Sequence, residues 1–515
     1  MTDRCPLSEK VILAVDLGTG GPKVGFVSLD GTLLWSDFIA VTTEYGPDGA
    51  ATQDPTLWWD IICDATRRGL AQGSVDGNRV VGVSITGQWS STIPVDAQGK
   101  PVGPCVMWMD TRGEPYSRKA FGGRVAGYRP RALINWLYRN GGVPSPSGDD
   151  PIGHMLYLQH QCPEVHHAAR WMLEPVDYLS MRFTGRAAAS RASMMGAWLT
   201  NNRKLAVLDY DDVLVQMTGV DRTKLPPLVP TGSMIGPVTP AVAAELGISP
   251  AARVVTGTPD LHSAATGSGA VRCGELHMTI STTSWISCPV PSKKTDVFHQ
   301  QASVAGLDPS TYLLVNNQDT AGRALQWLRD TVFPDDDYDA LTALAAGAPA
   351  GSHGVLFTPW LKGERSPVDD RRARGGFHNL SLETTRADLV RAVLEGVAYN
   401  SRWLLQYVDR FTTNSGPIRI VGGGASSDLW CQIVADVTGR TCERVADPLN
   451  AQLRGAALFA GIGMGELHRD ELRDLIPLDG VFEPDASAHR VYTRLFAEFP
   501  GLYTGQKAMF ARLNR

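Results

Sequence analysis

Residues 418–437 pass from an apolar run (Ile418, Ile420, Val421) through Gly422-Gly423-Gly424-Ala425 and Ser426-Ser427-Asp428 into a segment with Leu429, Trp430, Ile433, Val434 and Val437 at helical spacing. This order is a strand, a glycine turn and an amphipathic helix. Three successive glycines let the backbone approach a flat or anionic ligand with no Cβ in the way. The free N–H groups of the helix start favour negative charge. Tight strand–helix packing uses the same order, so this turn alone decides nothing. A second turn of phosphate type lies at the other end of the chain. There Asp16-Leu17-Gly18-Thr19-Gly20-Gly21 follows the apolar run Val11 to Val15, and Lys23 comes next. A strand-end carboxylate beside glycine N–H groups and a lysine suits Mg²⁺ with nucleotide phosphates, because Mg²⁺ needs few protein carboxylates. A hairpin with an Asx turn at Asp16 is the competing reading.

The chain has 515 residues, too many for one core, and predicts two to four domains. Apolar content of 43% and charged content of 20% exclude global disorder. The formal net charge is −5 with no basic block, which argues against nucleic acid as a partner. Eight scattered cysteines, with no C-x-x-C spacing, predict reduced thiols in a cytoplasmic protein rather than a disulfide scaffold or a zinc site. The N-terminal residues show no signal-peptide h-region, and no apolar run approaches the ~20 residues that span a bilayer.

Val11–Val15, Val24–Leu29 and Leu33–Val41 predict three antiparallel strands, with Asp30-Gly31 as a hairpin signal. A helix near Pro55 to Leu70 and a buried strand Val80–Ile85 follow, giving a mixed α/β sheet. Residues 121–153, rich in Gly, Pro and Ser, read as a long irregular insertion, of the kind that serves as a lid, a binding loop or disorder. Near residue 253 the logic restarts: strand Arg253–Thr256, turn Gly257-Thr258-Pro259-Asp260, helix Leu261–Gly269, then strand Leu276–Ile280 ending in Ser281-Thr282-Thr283-Ser284. The expected domains are therefore 1–252 and 253–480, with a helical extension over 481–515. Residues 384–411 predict a long helix opened by a capping box at Thr385 and Asp388.

Asp260, after its strand, stands where a kinase needs a carboxylate to accept the proton of the attacked hydroxyl. A helix N-cap is the alternative. The hydroxyls and N–H groups of Ser281 to Ser284 suit β- and γ-phosphates, or form an ordinary β-branched strand end.

Five segments in order resemble the FGGY family of carbohydrate kinases. They are Asp16-Leu17-Gly18-Thr19; Gly87-Gln88 with Trp108-Met109-Asp110-Thr111-Arg112; Asp260 in its turn; Gly363-Glu364-Arg365-Ser366-Pro367; and Gly422-Gly423-Gly424-Ala425. Glu395-Gly396 in the long helix matches too, and the likeness covers roughly residues 11–465. The resemblance implies two ribonuclease-H-like domains of the actin type around a central cleft holding ATP and sugar. It implies Asp16 near Mg²⁺ and Asp260 as the base. Gly18, Thr19, Lys23, Thr282, Thr283, Gly322, Gly424, Ala425 and Asp428 would serve the nucleotide. Gln88, Trp89, Ser90, Asp110 and Asp260 would face the sugar.

Several positions depart from the family pattern. Trp89-Ser90 stands where xylulokinase-like members carry Met-His and glycerol kinases Arg-Glu. Leu261 follows the base where Asn or Gln is usual, so a polar contact to a substrate hydroxyl is either missing or resupplied by His262. Ser281 and Ser284 replace glycines, and Asn379 replaces a glycine at a position that Asn tolerates through positive φ. The expected function is ATP-dependent phosphorylation of a primary hydroxyl of a xylulose-like pentulose, with ribulose or erythritol as alternative acceptors. An actin-like ATPase or a non-catalytic sugar-binding paralogue is the alternative of another class. The expected partners are ATP and a small sugar or polyol, with no membrane and no nucleic acid, and a homodimer is left open.

Overall fold

The structure, a computed structural model, describes residues 6–308, 310–412 and 415–514. The chain forms two compact units. Unit 1 comprises Met1–Gly267, Val304–Tyr312 and Gln452–Leu475; unit 2 comprises Ser268–Ser303, Leu313–Ala451 and Ile476–Arg515.

Unit 1 is built on a mixed sheet. Strands β1 (Val11–Gly18), β2 (Gly21–Ser28) and β3 (Leu33–Phe38) form the expected antiparallel meander. Helix α1 (Pro55–Ala71), capped by the Asp54 side chain on the Thr56 amide, buries Trp58, Trp59 and Ile62. Strand β4 (Val80–Gly87) then runs parallel to β1. Helix α2 (Pro175–Thr184) follows, then β5 (Met234–Pro237), β6 (Arg253–Val255) and β7 (Thr258–Pro259), with β6 and β7 both parallel to β4. The order β5-β6-β4-β1-β2-β3, an antiparallel meander continued by parallel β4 and β6 with antiparallel β5 at the edge, is the ribonuclease-H-like arrangement. Val11 to Val15 are all fully buried, as a continuous apolar run in a central strand requires.

The observed division runs past the expected boundary at residue 252. Because β6 and β7 pair with β4, the turn that carries Asp260 and most of helix α3 (Asp260–Ser268) belong to unit 1. The chain later returns to unit 1 as the helix Ala451–Gly463. A Cβ on Gly455 would lie 1.8 Å from the Ser263 carbonyl oxygen, so only glycine permits this helix crossing.

Residues 121–153 are largely ordered by packing rather than being an irregular insertion. They include the short strand Gly122–Val125 and the helix Pro130–Arg139, and helix Pro151–Gln161 follows. Phe121, Trp136 and Ile152 are fully buried in a second apolar cluster of unit 1. Tyr128 donates to the Pro144 carbonyl at 2.6 Å, which pins the Pro/Ser-rich stretch from inside.

Unit 2 repeats the plan. Strands β8 (Leu276–Ile280) and β9 (Ser284–Ser287) form a hairpin, and helix α4 (Gly322–Val332) follows. Helix α5 (Arg386–Val408) opens with the predicted capping box of Thr385 and Asp388. Then come β10 (Ile418–Val421), helix α6 (Asp428–Thr438), β11 (Cys442–Val445) and β12 (Leu478–Phe482). The sheet order is β9-β8-β10-β11-β12, with β8, β10 and β11 parallel. Asn379 does adopt positive φ, at 62°, and its amide donates to the Gly354 carbonyl at 3.0 Å. Cys5 lies outside the described residues; the other seven cysteines are free thiols. Among the described residues no helix is long and apolar enough to cross a membrane.

Candidate active site

The register of unit 1 sets two carboxyls at one end of its sheet. Asp16 pairs with Thr86, and Thr86 with Thr258; the next row is Leu17, Gly87 and Pro259. Asp260 is the residue after that row. Gly87 has to be glycine, since a Cβ would lie 2.4 Å from the Leu17 carbonyl oxygen. Burial pushes the Asp16 carboxyl up to about 6, against the attraction of Lys23 across the β1–β2 ladder. Burial, and then the charge of Asp16, push Asp260 up to about 7, while the Leu261 amide, donating at 2.7 Å, opposes the shift. A carboxyl that exchanges its proton near neutral pH is what general-base work requires.

Beside this pair is a polar chain. The Gln88 amide donates to the Leu17 carbonyl at 2.8 Å and so ties the corner after β4 to β1. Trp108 Nε1 donates to the Thr19 hydroxyl at 3.0 Å, and that hydroxyl reaches Gln88 Oε1 at 3.4 Å. Thr19, expected on the nucleotide side, thus spends its hydroxyl on Trp108 and on Gln88, a residue expected at the acceptor. Gln88 is 6% exposed, and its Nε2 has no partner among the described residues. A buried amide donor left open is costly, about 1–3 kcal/mol, unless a ligand or water meets it. Trp89 Nε1 donates to the Ser193 carbonyl at 2.6 Å, so the indole is fixed and its face is what it offers. Ser90 has φ of 69°, an uncommon value for a residue other than glycine.

Two side chains named from the sequence have other partners. Asp110 does not present a free carboxylate: it is fully buried, accepts from the Ala51 amide at 2.8 Å, and is held by Arg112 at 2.6 Å. Arg112 also donates to the Tyr157 hydroxyl at 2.8 Å. His262 does not replace a polar contact beside the base. It is fully buried, with its Nε2 on the Ala305 carbonyl at 2.8 Å, and burial lowers it to about 4. Residues two apart on a helix point to opposite sides, so a residue two beyond Asp260 turns away from it.

In unit 2 the remaining predicted residues come together around the end of β8. The Gly322 amide at the start of α4 donates to the Ser281 carbonyl at 2.7 Å, and the Ala321 amide to the Thr282 carbonyl at 3.0 Å. Thr282 and Thr283 therefore cap a hairpin that abuts the α4 N-terminus, with Thr282 exposed. Gly422 has φ of 93° and lies where a Cβ would meet the Ile280 carbonyl oxygen at 2.6 Å; one on Gly424 would meet Ile280 Cγ2 at 2.4 Å. The triglycine turn is thus pressed on the same strand end, with Ala425 buried and Asp428 exposed. Arg444, which the sequence reading did not single out, pairs with Asp428 and lies 3.4 Å from the Ala425 carbonyl. Glu364 of the Gly-Glu-Arg-Ser-Pro segment accepts from the Asp319 amide at 3.1 Å and the Asn400 side chain, which braces the loop leading into α4.

Hard oxygen donors suit Mg²⁺. Burial raises the Asp16 and Asp260 carboxyls, and the charge of Asp16 raises Asp260 further; a divalent cation beside Asp16 offsets both penalties, so this donor set fits the ion.

Comparison with known proteins agrees with this architecture. The N-terminal domain of the FGGY family of carbohydrate kinases matches residues 11–267, and its C-terminal domain residues 274–464. A xylulose kinase of Staphylococcus epidermidis is 28% identical over 513 residues, covering 98% of this chain and 99% of that protein. A gluconokinase of Bacillus subtilis is 26% identical over 523 residues, covering 98% of each. The crystal structure of xylulose kinase from Rhodospirillum rubrum has a TM-score of 0.83 at 26% identity, covering 98% of this chain and all of that one.

Proposed function

The chain belongs to the FGGY family of carbohydrate kinases, and from that membership we propose that it transfers the γ-phosphoryl group of ATP to a primary hydroxyl of a xylulose-like pentulose. The observation that carries the mechanism is Asp260, held near neutral pKa one residue beyond a strand aligned with β4, whose next residue is Gln88. Asp260 accepts the proton of the attacking hydroxyl as the new oxygen–phosphorus bond forms and the bond to the ADP oxygen breaks. The open Gln88 Nε2 donates to an acceptor oxygen, and the Trp89 face covers the C–H side of the sugar. The Thr282-Thr283 turn, Gly322 and the Gly424-Ala425 turn serve the nucleotide, with Gly18 and Lys23 on the phosphate side. Mg²⁺ held at Asp16 would offset phosphate charge.

The likeness to a gluconokinase makes D-gluconate the second acceptor to weigh. A sugar acid wants an open cation. Arg112 is already engaged by Asp110 and Tyr157, which favours the uncharged ketose. The test is ADP release with D-xylulose, L-xylulose, D-ribulose, D-gluconate, erythritol, ribitol and glycerol. D-xylulose should give the highest kcat/KM, within a broad profile. A lead of tenfold or more by gluconate or glycerol, about 1.4 kcal/mol in transition-state binding, overturns the pentulose reading.

A further inference from the structure

We propose that two buried acids, Asp177 and Glu174, are positioning residues for the acceptor: they fix the Trp89–Ser90 corner and, through one shared turn, tie it to the loop that carries Asp260. The inference rests on the acceptor reading above.

Both acids stand at the start of α2. Asp177 is 1% exposed and accepts from the Ser193 hydroxyl at 2.7 Å. The carbonyl of that same Ser193 accepts the Trp89 indole N–H at 2.6 Å. Ser193 and Ser190 close one turn, in which the Ser193 amide donates to the Ser190 hydroxyl at 2.9 Å. The Ser190 hydroxyl in turn donates to the Gly257 carbonyl at 3.1 Å, three residues before Asp260. One turn, anchored by Asp177, thus touches both the acceptor-selecting indole and the base loop.

Glu174 works on the other side of the corner. Although it occupies the N-cap position of α2, its side chain does not cap that helix. It is 2% exposed and accepts instead from the Ser91 amide at 3.2 Å, and from the Ser90 amide. Ser90 is the residue with left-handed backbone, a conformation that persists only when its surroundings over-determine it. Gly196 closes the third side: a Cβ there would lie 2.9 Å from Trp89 Nε1 and 3.1 Å from Ser90 Oγ.

The chemistry of the two acids fits holding rather than reacting. Burial pushes Asp177 up to about 8 and Glu174 well above its usual range, which favours the neutral acid in both. Among the described residues, Asp177 Oδ1 and Glu174 Oε1 have no partner. An unsatisfied buried acid is a poor filler, and an apolar side chain of the same volume would stabilise the fold more. What the acids add is fixed geometry at the corner. Neutral amides reproduce it; hydrocarbons do not.

The experiment compares Asp177→Asn, Asp177→Leu, Glu174→Gln, Glu174→Leu and Gly196→Ala with the wild type. Steady-state kinetics are measured with D-xylulose and with ATP, alongside thermal melts and crystal structures of the wild type, Asp177→Asn and Asp177→Leu. Both amides should stay close to wild type. Both leucine variants and Gly196→Ala should raise the acceptor KM by about tenfold, the worth of one buried hydrogen bond, and leave the ATP KM unchanged. Gly196→Ala shifts the indole without touching either acid, so it carries the test if a leucine variant fails to fold. An unchanged acceptor KM in folded leucine variants and Gly196→Ala overturns the proposal. If no acceptor is phosphorylated by the wild type, the functional reading fails, and the crystal structures decide the inference. The indole should leave the Ser193 carbonyl in Asp177→Leu and stay on it in Asp177→Asn; an indole unmoved in both overturns it.

Discussion

Asp260 gains a proton more easily than an ordinary aspartate, because burial and the Asp16 charge disfavour its ionised form. Three outcomes follow at this scale. First, Asp260→Asn keeps the shape but cannot accept the proton; kcat should fall by about 10²–10⁴, with the ATP KM little changed. Near-normal turnover would remove Asp260 from the mechanism. Second, kcat/KM of the wild type should fall as pH drops below about 7, where Asp260 holds its proton. Asp16 titrates beside it, so the limb reports the pair rather than one group. Third, the same shift is a stability statement. Its folded pKa is raised, so the stability it contributes is fully present below the ordinary value of 3.8 and is lost as pH rises through about 7. Asp260→Asn should therefore melt above the wild type at pH 8 and level with it at pH 4. A melting difference independent of pH would contradict this. The two acids stand out in the sequence because Asp16 follows the apolar run Val11–Val15 and Asp260 closes the turn after the strand Arg253–Thr256. His262 and Asp110 could not be assigned: neighbours along the chain do not say which way a side chain turns, nor that Arg112 will take both oxygens of Asp110.

At the scale of elements, glycine turns and caps were the legible features. The β1–β2 hairpin, the capping box of α5 and the positive φ of Asn379 all follow from local chemistry that a short window contains. Thr385→Ala should accordingly cost about 1 kcal/mol in chemical denaturation and leave kcat unchanged. What a window does not contain is contact between windows. Arg444 braces Asp428 from the next strand, and Ser281 accepts from Gly322 across a separation of more than thirty residues, so neither contact could be read locally. That second contact makes a sharp test. A Cβ on Gly322 would lie 2.6 Å from the Ser281 carbonyl oxygen, so Gly322→Ala must push the Thr282–Thr283 turn away from α4. Overpacking of this kind costs ~1–3 kcal/mol. If this turn holds phosphates, the ATP KM should rise about tenfold while the acceptor KM holds. A rise in the acceptor KM alone would place the turn in the other half of the chemistry.

For the whole molecule, the decisive fact is that each unit is assembled from three stretches of chain. A linear reading places a boundary where a strand–turn–acid pattern recurs. In unit 1 that recurrence is the continuation of one sheet: β6 and β7 extend β4, and the unit is completed only when the chain returns at Val304–Tyr312 and Gln452–Leu475. The helix Ala451–Gly463 brings fully buried Leu453, Ala456, Ala457 and Ala460 to that core. A Cβ on Gly25 would lie 2.9 Å from Leu453 Cδ1, Arg454 donates to the Gly31 carbonyl at 3.2 Å, and Lys10 pairs with Glu466 at 2.6 Å. A fragment ending at residue 267 keeps every acceptor-side residue yet exposes the apolar surface that this helix covers. It should unfold without a cooperative transition and bind a hydrophobic dye, whereas the full chain melts cooperatively. Adding the segment 452–475 in trans as a synthetic peptide should restore part of the transition, because the peptide supplies the missing buried face. A fragment that melts cooperatively without the peptide would show that the returning helix is dispensable to the fold of unit 1.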